Sequence, residues 1–184
     1  MRDLSLHILD LAQNSVRAGA SVVALGVSLS AEGILTLTIE DDGCGMDAEL
    51  LSRVQSPFAT TRTTRKVGLG IPMMAENCRL AEGDLSLEST VGKGTKLTAT
   101  LNTASIDCLP LGDLAGTVTT LVTANPEHPD FTLRCSSPRG EMQFDTREIR
   151  EALQGVPLNE PEVAAWMMES LREEIEPIFG GVIL

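Results

Sequence analysis

Ile39-Glu40-Asp41-Asp42-Gly43-Cys44-Gly45-Met46 is the stretch on which the reading of this chain turns. The residues leading into it, Ile34 to Asp41, alternate apolar and polar, the period of a half-buried strand. An Asp-Gly pair at a strand end ordinarily marks a hairpin turn into a second strand. Here the segment that follows, Asp47 to Val54, has a helical pattern with Asp47 as its cap. The strand therefore ends in two carboxylates and a glycine-spaced loop, with no paired strand immediately after it. Gly43 and Gly45 permit a tight turn and the close approach of a flat group to the backbone.

Working outward, residues 4–18 read as a helix. Leu4, Ile8, Leu11, Ala12, Ser15 and Val16 form an apolar or small face, and His7, Asp10, Asn14 and Arg17 recur on another. Residues 22–30 and 34–41 read as strands around the turn Ala31-Glu32-Gly33. Residues 55–67 hold four threonines with Arg62, Arg65 and Lys66, lack a regular period, and read as a mobile loop. Gly68 opens a helix to about residue 82, and 85–90 with 95–101 form a hairpin around Gly92-Lys93-Gly94. This order predicts an α+β fold, a two-layer α/β sandwich with a mixed sheet and helices on one face.

After residue 103 prolines punctuate the chain, and 104–184 reads as a small α/β C-terminal extension to the domain formed by 1–103. It is expected to hold a helix over 113–124, a hairpin around Pro138-Arg139-Gly140 and a short helix capped by Asp145. A last helix is expected to be capped by Asn159, with Pro161 in its first turn. Val163, Trp166, Met167, Leu171 and Ile175 lie at helical spacing on that last helix. The stripe is expected to dock on the first domain, with a dimer or partner interface as the alternative.

The net charge of −12 disfavours nucleic acid and anionic membrane as partners. The 42% hydrophobic and 22% charged composition is that of an ordinary globular domain. Cys44, Cys78, Cys108 and Cys135 are too far apart for a C-x-x-C metal site and suggest no disulfide framework. The longest charge-free run, residues 18–31, is shorter than the roughly 20 residues a spanning helix needs. Asp3 and Asp10 interrupt the apolar start, so no signal peptide is read and a cytoplasmic location is expected.

Several residue groups suit one ligand. The carboxylate of Asp41 can accept a hydrogen bond from the exocyclic amine of adenine and would repel the carbonyl that guanine carries there. An amide oxygen at Asn14 can ligate Mg²⁺, which shares its coordination sphere with substrate phosphates. Asp10, one turn earlier, could orient or deprotonate a nucleophile, or could be a surface acid; His7 reads as structural. Gly68-Leu69-Gly70 presents backbone N–H groups at a helix start, with Arg62, Arg65 and Lys66 adjacent, as an anion such as phosphate requires. Thr95 could set its hydroxyl beside Asp41 if their strands are neighbours. Taken singly, each group is also an ordinary turn or surface feature; together they describe a pocket for ATP.

With these segments in hand, the chain resembles the superfamily of gyrase, heat-shock chaperone, histidine-kinase and mismatch-repair ATPases, built on the Bergerat ATP-binding fold. Over residues 1–103 it is most similar to the catalytic domain of sensor histidine kinases. Ser56-Pro57-Phe58-Ala59-Thr60-Thr61-Arg62 looks like the phenylalanine-containing box of those kinases, whereas Asn14 to Ala20 has the flavour of the mismatch-repair and gyrase branch. The resemblance implies Mg²⁺ on Asn14, adenine on Asp41, and a base pocket lined by Gly43, Gly45 and Met46. It implies a lid over Phe58, Thr60, Thr61, Arg62 and Lys66, phosphate contacts at Gly68, Leu69, Gly70 and Ile71, further nucleotide contact at Arg17, and help to Asp41 from Thr95. Asp10 departs from the family, which carries Glu or Asn at that place. The resemblance therefore implies a stand-alone ATP-binding protein that phosphorylates or switches a separate regulatory protein. A nucleotide sensor without turnover and an anti-sigma-like serine kinase are the alternatives, and a homodimer stays open. No phosphoacceptor helix, transmembrane sensor or receiver segment is read in the sequence.

Overall fold

The computed structural model describes residues 2–55 and 69–180. Helix α1 (Leu4–Arg17) leads into strands β1 (Val22–Leu29) and β2 (Ile34–Asp41), then helices α2 (Ala48–Gln55) and α3 (Gly70–Leu80). Strands β3 (Leu85–Thr90) and β4 (Gly94–Asn102) follow, then α4 (Leu114–Ala124), β5 (Asp130–Ser137), β6 (Gly140–Asp145), α5 (Thr146–Leu153) and α6 (Pro161–Phe179). The strands form one six-stranded sheet in the order β3-β4-β2-β1-β5-β6. Every neighbouring pair is antiparallel except β1 and β5, which run parallel with Val23 opposite Phe131. The expected mixed sheet with helices on one face is what the chain adopts.

Alternation along the strands decides which face is covered. Val23, Leu25 and Val27 of β1, Leu35, Leu37 and Ile39 of β2, and Leu97, Ala99 and Leu101 of β4 are all buried. On β5, Phe131, Leu133 and Cys135 continue this side. Helices α1, α3, α4 and α6 contact the sheet from there, so this single layer of apolar side chains is the core. The opposite side carries Thr36, Thr38, Thr98, Thr100 and Thr132, all partly exposed. Threonine suits such a surface because its branched β-carbon favours strand geometry while its hydroxyl meets water.

The 104–180 segment joins this sheet through β5, and it also fixes the start of α1. Backbone N–H groups of Leu4 and Ser5 donate to the carbonyls of Pro110 and Leu111, at 3.0 and 2.8 Å. Asp3 caps α1 by accepting from Leu6 N, and Asp47 caps α2 by accepting from Leu50 N.

Three expectations for the last helix need correcting. Asn159 is not its cap: Glu160 occupies that position without a side-chain bond, and Pro161 begins the helix, where its missing N–H costs nothing. Val163, Met167, Leu171 and Ile175 are buried, but against α4, β5 and β6 of the extension itself and not on the first domain as expected, and Trp166 is 54% exposed. It precedes Met167 by one residue, so about 100° of helical rotation carries it out of the contact face.

Candidate functional site

Asp41 ends β2 and is held from two sides. Its Oδ2 accepts from the Ser15 hydroxyl at 2.6 Å, and its Oδ1 accepts from Gly43 N at 3.0 Å. Helix α1 brings Ser15 to this point because the small, buried face that packs on β1 and β2 includes it. Sequence reasoning had placed Ser15 only on that face. Its signal was a hydroxyl among apolar neighbours, a group that must find a partner when buried.

The loop after Asp41 is tied down on three sides. Cys44 N donates to Ala18 O, Gly92 N to Cys44 O, and Met46 N to the Ser89 hydroxyl at 2.8 Å. Asp42 points away from Asp41 and accepts from Ser21 N and Val22 N, at 2.7 and 2.9 Å. These backbone donors, Val22 N foremost, hold its carboxyl below the usual range. Asp42 is thus a structural brace, a role the sequence reading did not assign. Gly45 has φ +65°, and a side chain there would run into the Thr90 carbonyl, so glycine is required.

Thr95 lies directly opposite Asp41 across the β2–β4 ladder, as expected for neighbouring strands. Its hydroxyl, however, bonds Ser89 Oγ at 2.9 Å, while the hydroxyl on Asp41 is that of Ser15. A directly opposed pair holds its β-carbons roughly 5 Å apart, which leaves room for a bridging atom between the side chains.

Asn14 and Asp10 lie on the other exposed side of α1, both half-buried. Asn14 Oδ1 accepts from Arg17 Nη1 at 3.3 Å, which places two of the sequence-selected residues together. Asp10 packs against the start of α3: a β-carbon on Gly70 would overlap its carboxylate. Leu69, at the cap position of α3, offers no side-chain bond, and the first turn contains no acid. Its N–H groups and the positive end of the helix dipole face the same region as Asp10. Ile71 lies in that first turn. Phe58, Thr60, Thr61, Arg62, Lys66 and Gly68 lie outside the described residues, as does the loop to which they belong.

His7 is fully buried one turn before Asp10, in keeping with a structural role. Its Nε2 lies 2.8 Å from the Asn77 amide nitrogen. The Asn77 amide thus pairs with Nε2, while Nδ1 has no partner among the described residues. Burial, the main cause, pushes the imidazole below its ordinary value of about 6.5. The unfolded chain then takes up the proton first as the pH falls. Stability is fully present above about pH 6.5, is lost below it, and levels off once the folded ring also protonates. Thermal melts at about pH 7.5 and 5.5 should show this loss in the native chain and a smaller one in His7→Gln.

Residues 2–105, more than half of the chain, match the family of histidine kinase-, DNA gyrase B- and HSP90-like ATPases. The chain belongs to it. Membership supplies an ATP-binding domain of the histidine-kinase type, and the family's fold is the one seen here. Among relatives, a sensor protein kinase FleS of Pseudomonas aeruginosa is 38% identical over 105 residues, 56% of this chain and 25% of that protein. A sensor kinase CckA of Brucella abortus is 27% identical over 161 residues, 79% of this chain and 16% of its own length. A putative sensor protein of Shewanella frigidimarina is 31% identical over 98 residues, 53% of this chain and 15% of that one. The chain thus spans a quarter or less of these relatives. The crystal structure of the N-terminal domain of a DNA repair protein aligns with TM-score 0.54 and 15% identity, over 98% of this chain and 58% of that one. That likeness concerns the fold alone. Among the described residues no helix is long and apolar enough to cross a membrane.

Proposed function

We infer that this member of the family binds ATP with Mg²⁺ between α1, the Asp41–Met46 loop and the start of α3. It then phosphorylates, or switches, a separate regulatory protein. The observation that carries the reading is the arrangement along α1. Ser15 engages Asp41 at one end, Asp10 abuts the α3 start at the other, and Asn14 lies between. Ser15 lies five positions after Asp10, a rise of about 7.5 Å, which suits a ribose between base and phosphates. Residues 1–103 form the nucleotide unit in this reading, and 104–184 are the extension through which a partner, or a second copy, is engaged.

Hard oxygen donors at Asn14 and Asp10 fit Mg²⁺. Among the described residues no cluster of His, Cys, Asp or Glu could hold a metal unaided, in keeping with an ion shared with phosphates. The ion would neutralise charge on the transferring phosphoryl group. Asn14 would orient it once Arg17 releases the amide oxygen, and the free N–H groups of α3 would hold the phosphate oxygens.

Asn14→Ala is expected to lower Mg²⁺-dependent ATP affinity roughly 10- to 100-fold, the scale of losing an oriented metal contact. Calorimetry with and without Mg²⁺ reads this, and transfer of labelled phosphate to a protein in cell extract should vanish with it. Transfer that persists in Asn14→Ala would remove Asn14 from the site, and no transfer by the native chain to any protein of the extract would remove the kinase reading. A second reading, a nucleotide sensor with negligible turnover, is supported by Asp10: it is one methylene shorter than Glu and packed against Gly70. Tight binding with no phosphate release over hours would select it.

A further inference from the structure

The outer face of α6 carries one line of side chains, Glu162, Trp166, Glu169, Glu173 and Glu176, all exposed. Their spacing of four, three, four and three residues keeps them on one side of the helix over a rise of about 21 Å, opposite the buried Val163, Met167, Leu171 and Ile175. We propose that this face docks an arginine-rich helical surface of a separate protein, with Trp166 as its anchor. The proposal rests on the reading of 104–184 as the partner-engaging extension and is independent of the nucleotide site.

The acids on this line take part in no ion pair among the described residues. Every arginine of the extension is engaged elsewhere: Arg134 with Glu141, Arg147 with Asp145, Arg150 with Asp130, Arg172 with Asp113, and Arg139 on the Gly180 carbonyl. The sequence from 104 on holds fourteen acids and five bases, so it carries nine of the chain's twelve net negative charges. The line also works against its own helix. Glu169 lies one turn from Glu173, and Glu173 one turn from Glu176, like charges that repel. Glu176 stands in the last turn, which holds no base to offset the negative end of the helix dipole. A merely solvated face is better served by mixed charges and has no use for a bare indole; local rules broken in this way mark a functional surface.

Charge selects the occupant. A second copy would bring the same acids against these, and phosphate backbones and anionic lipid are repelled as well. A basic protein surface is attracted. Arginine fits better than lysine, because its planar guanidinium stacks on the indole face and forks onto a carboxylate with two N–H groups. Trp166 has an acid one turn away on either side, Glu162 and Glu169, so an arginine over the ring lies within reach of a carboxylate. Side chains on one face of a partner helix repeat at the same three-four spacing, so its arginines can meet the line turn by turn.

Trp166 is the one tryptophan of the chain, so its emission reports on this face alone. The probe, titrated into the full chain, is a synthetic amphipathic helical peptide with arginines along one face, alongside the same peptide with lysines. The arginine peptide should shift the Trp166 emission and bind at least about threefold tighter than the lysine peptide by calorimetry. Glu169→Gln with Glu173→Gln should weaken its binding at least about fivefold. Glu148→Gln with Glu151→Gln, at exposed positions of α5, removes the same charge and should leave the affinity within about twofold. Trp166→Ala should weaken peptide binding about fivefold or more while ATP binding stays native, so a failure here is told apart from a failure of the nucleotide reading. An unmoved emission, equal affinity for the two peptides, or equal losses in the two double variants overturns the docking face and leaves a solvated acidic surface. A native chain that self-associates in light scattering, and becomes monomeric in Trp166→Ala, assigns the face to a second copy and overturns the proposal as well.

Discussion

Asp41→Asn is expected to weaken ATP binding by roughly 30- to 100-fold, the scale of a hydrogen bond to a charged group. The carboxylate receives donors from both sides, Ser15 at Oδ2 and Gly43 at Oδ1. An amide nitrogen cannot face Gly43 N–H without losing that bond. It must therefore take the Oδ2 side, where the Ser15 hydroxyl can rotate to accept. The substitution would thus preserve the local fold while turning an acceptor into a donor at the edge meant for the adenine amine. Calorimetric titration checks it, with thermal melting to show that the chain stays folded. An affinity within threefold of the native value would place the base elsewhere.

Gly94→Ala should destabilise the protein far more than Gly92→Ala, although the two glycines share a hairpin and both have positive φ, +108° and +73°. At Gly92 a β-carbon meets nothing within 4 Å, so only the conformational cost of about 1 kcal/mol applies. At Gly94 it would run into the Asp41 carbonyl, with its carbon at 2.7 Å and Asp42 Cα at 2.9 Å. Both contacts are backbone and cannot rotate away, so β4 must pull back from β2 where Asp41 faces Thr95. A loss of about 3 kcal/mol, or roughly 6–12 °C in Tm, is expected, together with weakened ATP binding. Equal melting shifts for the two variants would mean that the hairpin gives way without disturbing Asp41.

Most of the elements were legible because their signals are local. The alternation along 34–41, the helical stripe along 4–18 and the Asp145 cap of α5 each depend on residues within one or two turns. A candidate site could be drawn from the sequence for the same reason: a strand end with carboxylates, an amide mid-helix, a glycine at a helix start. What it lacked was partners. Thr95 was correctly set beside Asp41, but its hydroxyl belongs to Ser89, and the hydroxyl on Asp41 comes from Ser15, across 26 residues of chain. Asn159 misled because an Asn-x-x-Glu pattern is also compatible with a turn, and Pro161 moved the helix start one residue on.

By itself, the order of residues determined the elements, the covered side of each strand and the groups able to meet a nucleotide, since periodicity and capping act over a few residues. Only the tertiary structure decided that β5 lies parallel to β1, that Pro110 and Leu111 hold the start of α1, and which hydroxyl serves which carboxylate. The physical reason is that a buried hydrogen-bonding group must be satisfied but accepts a partner from any distance along the chain. Packing alone brings one candidate, and not another, within 3 Å.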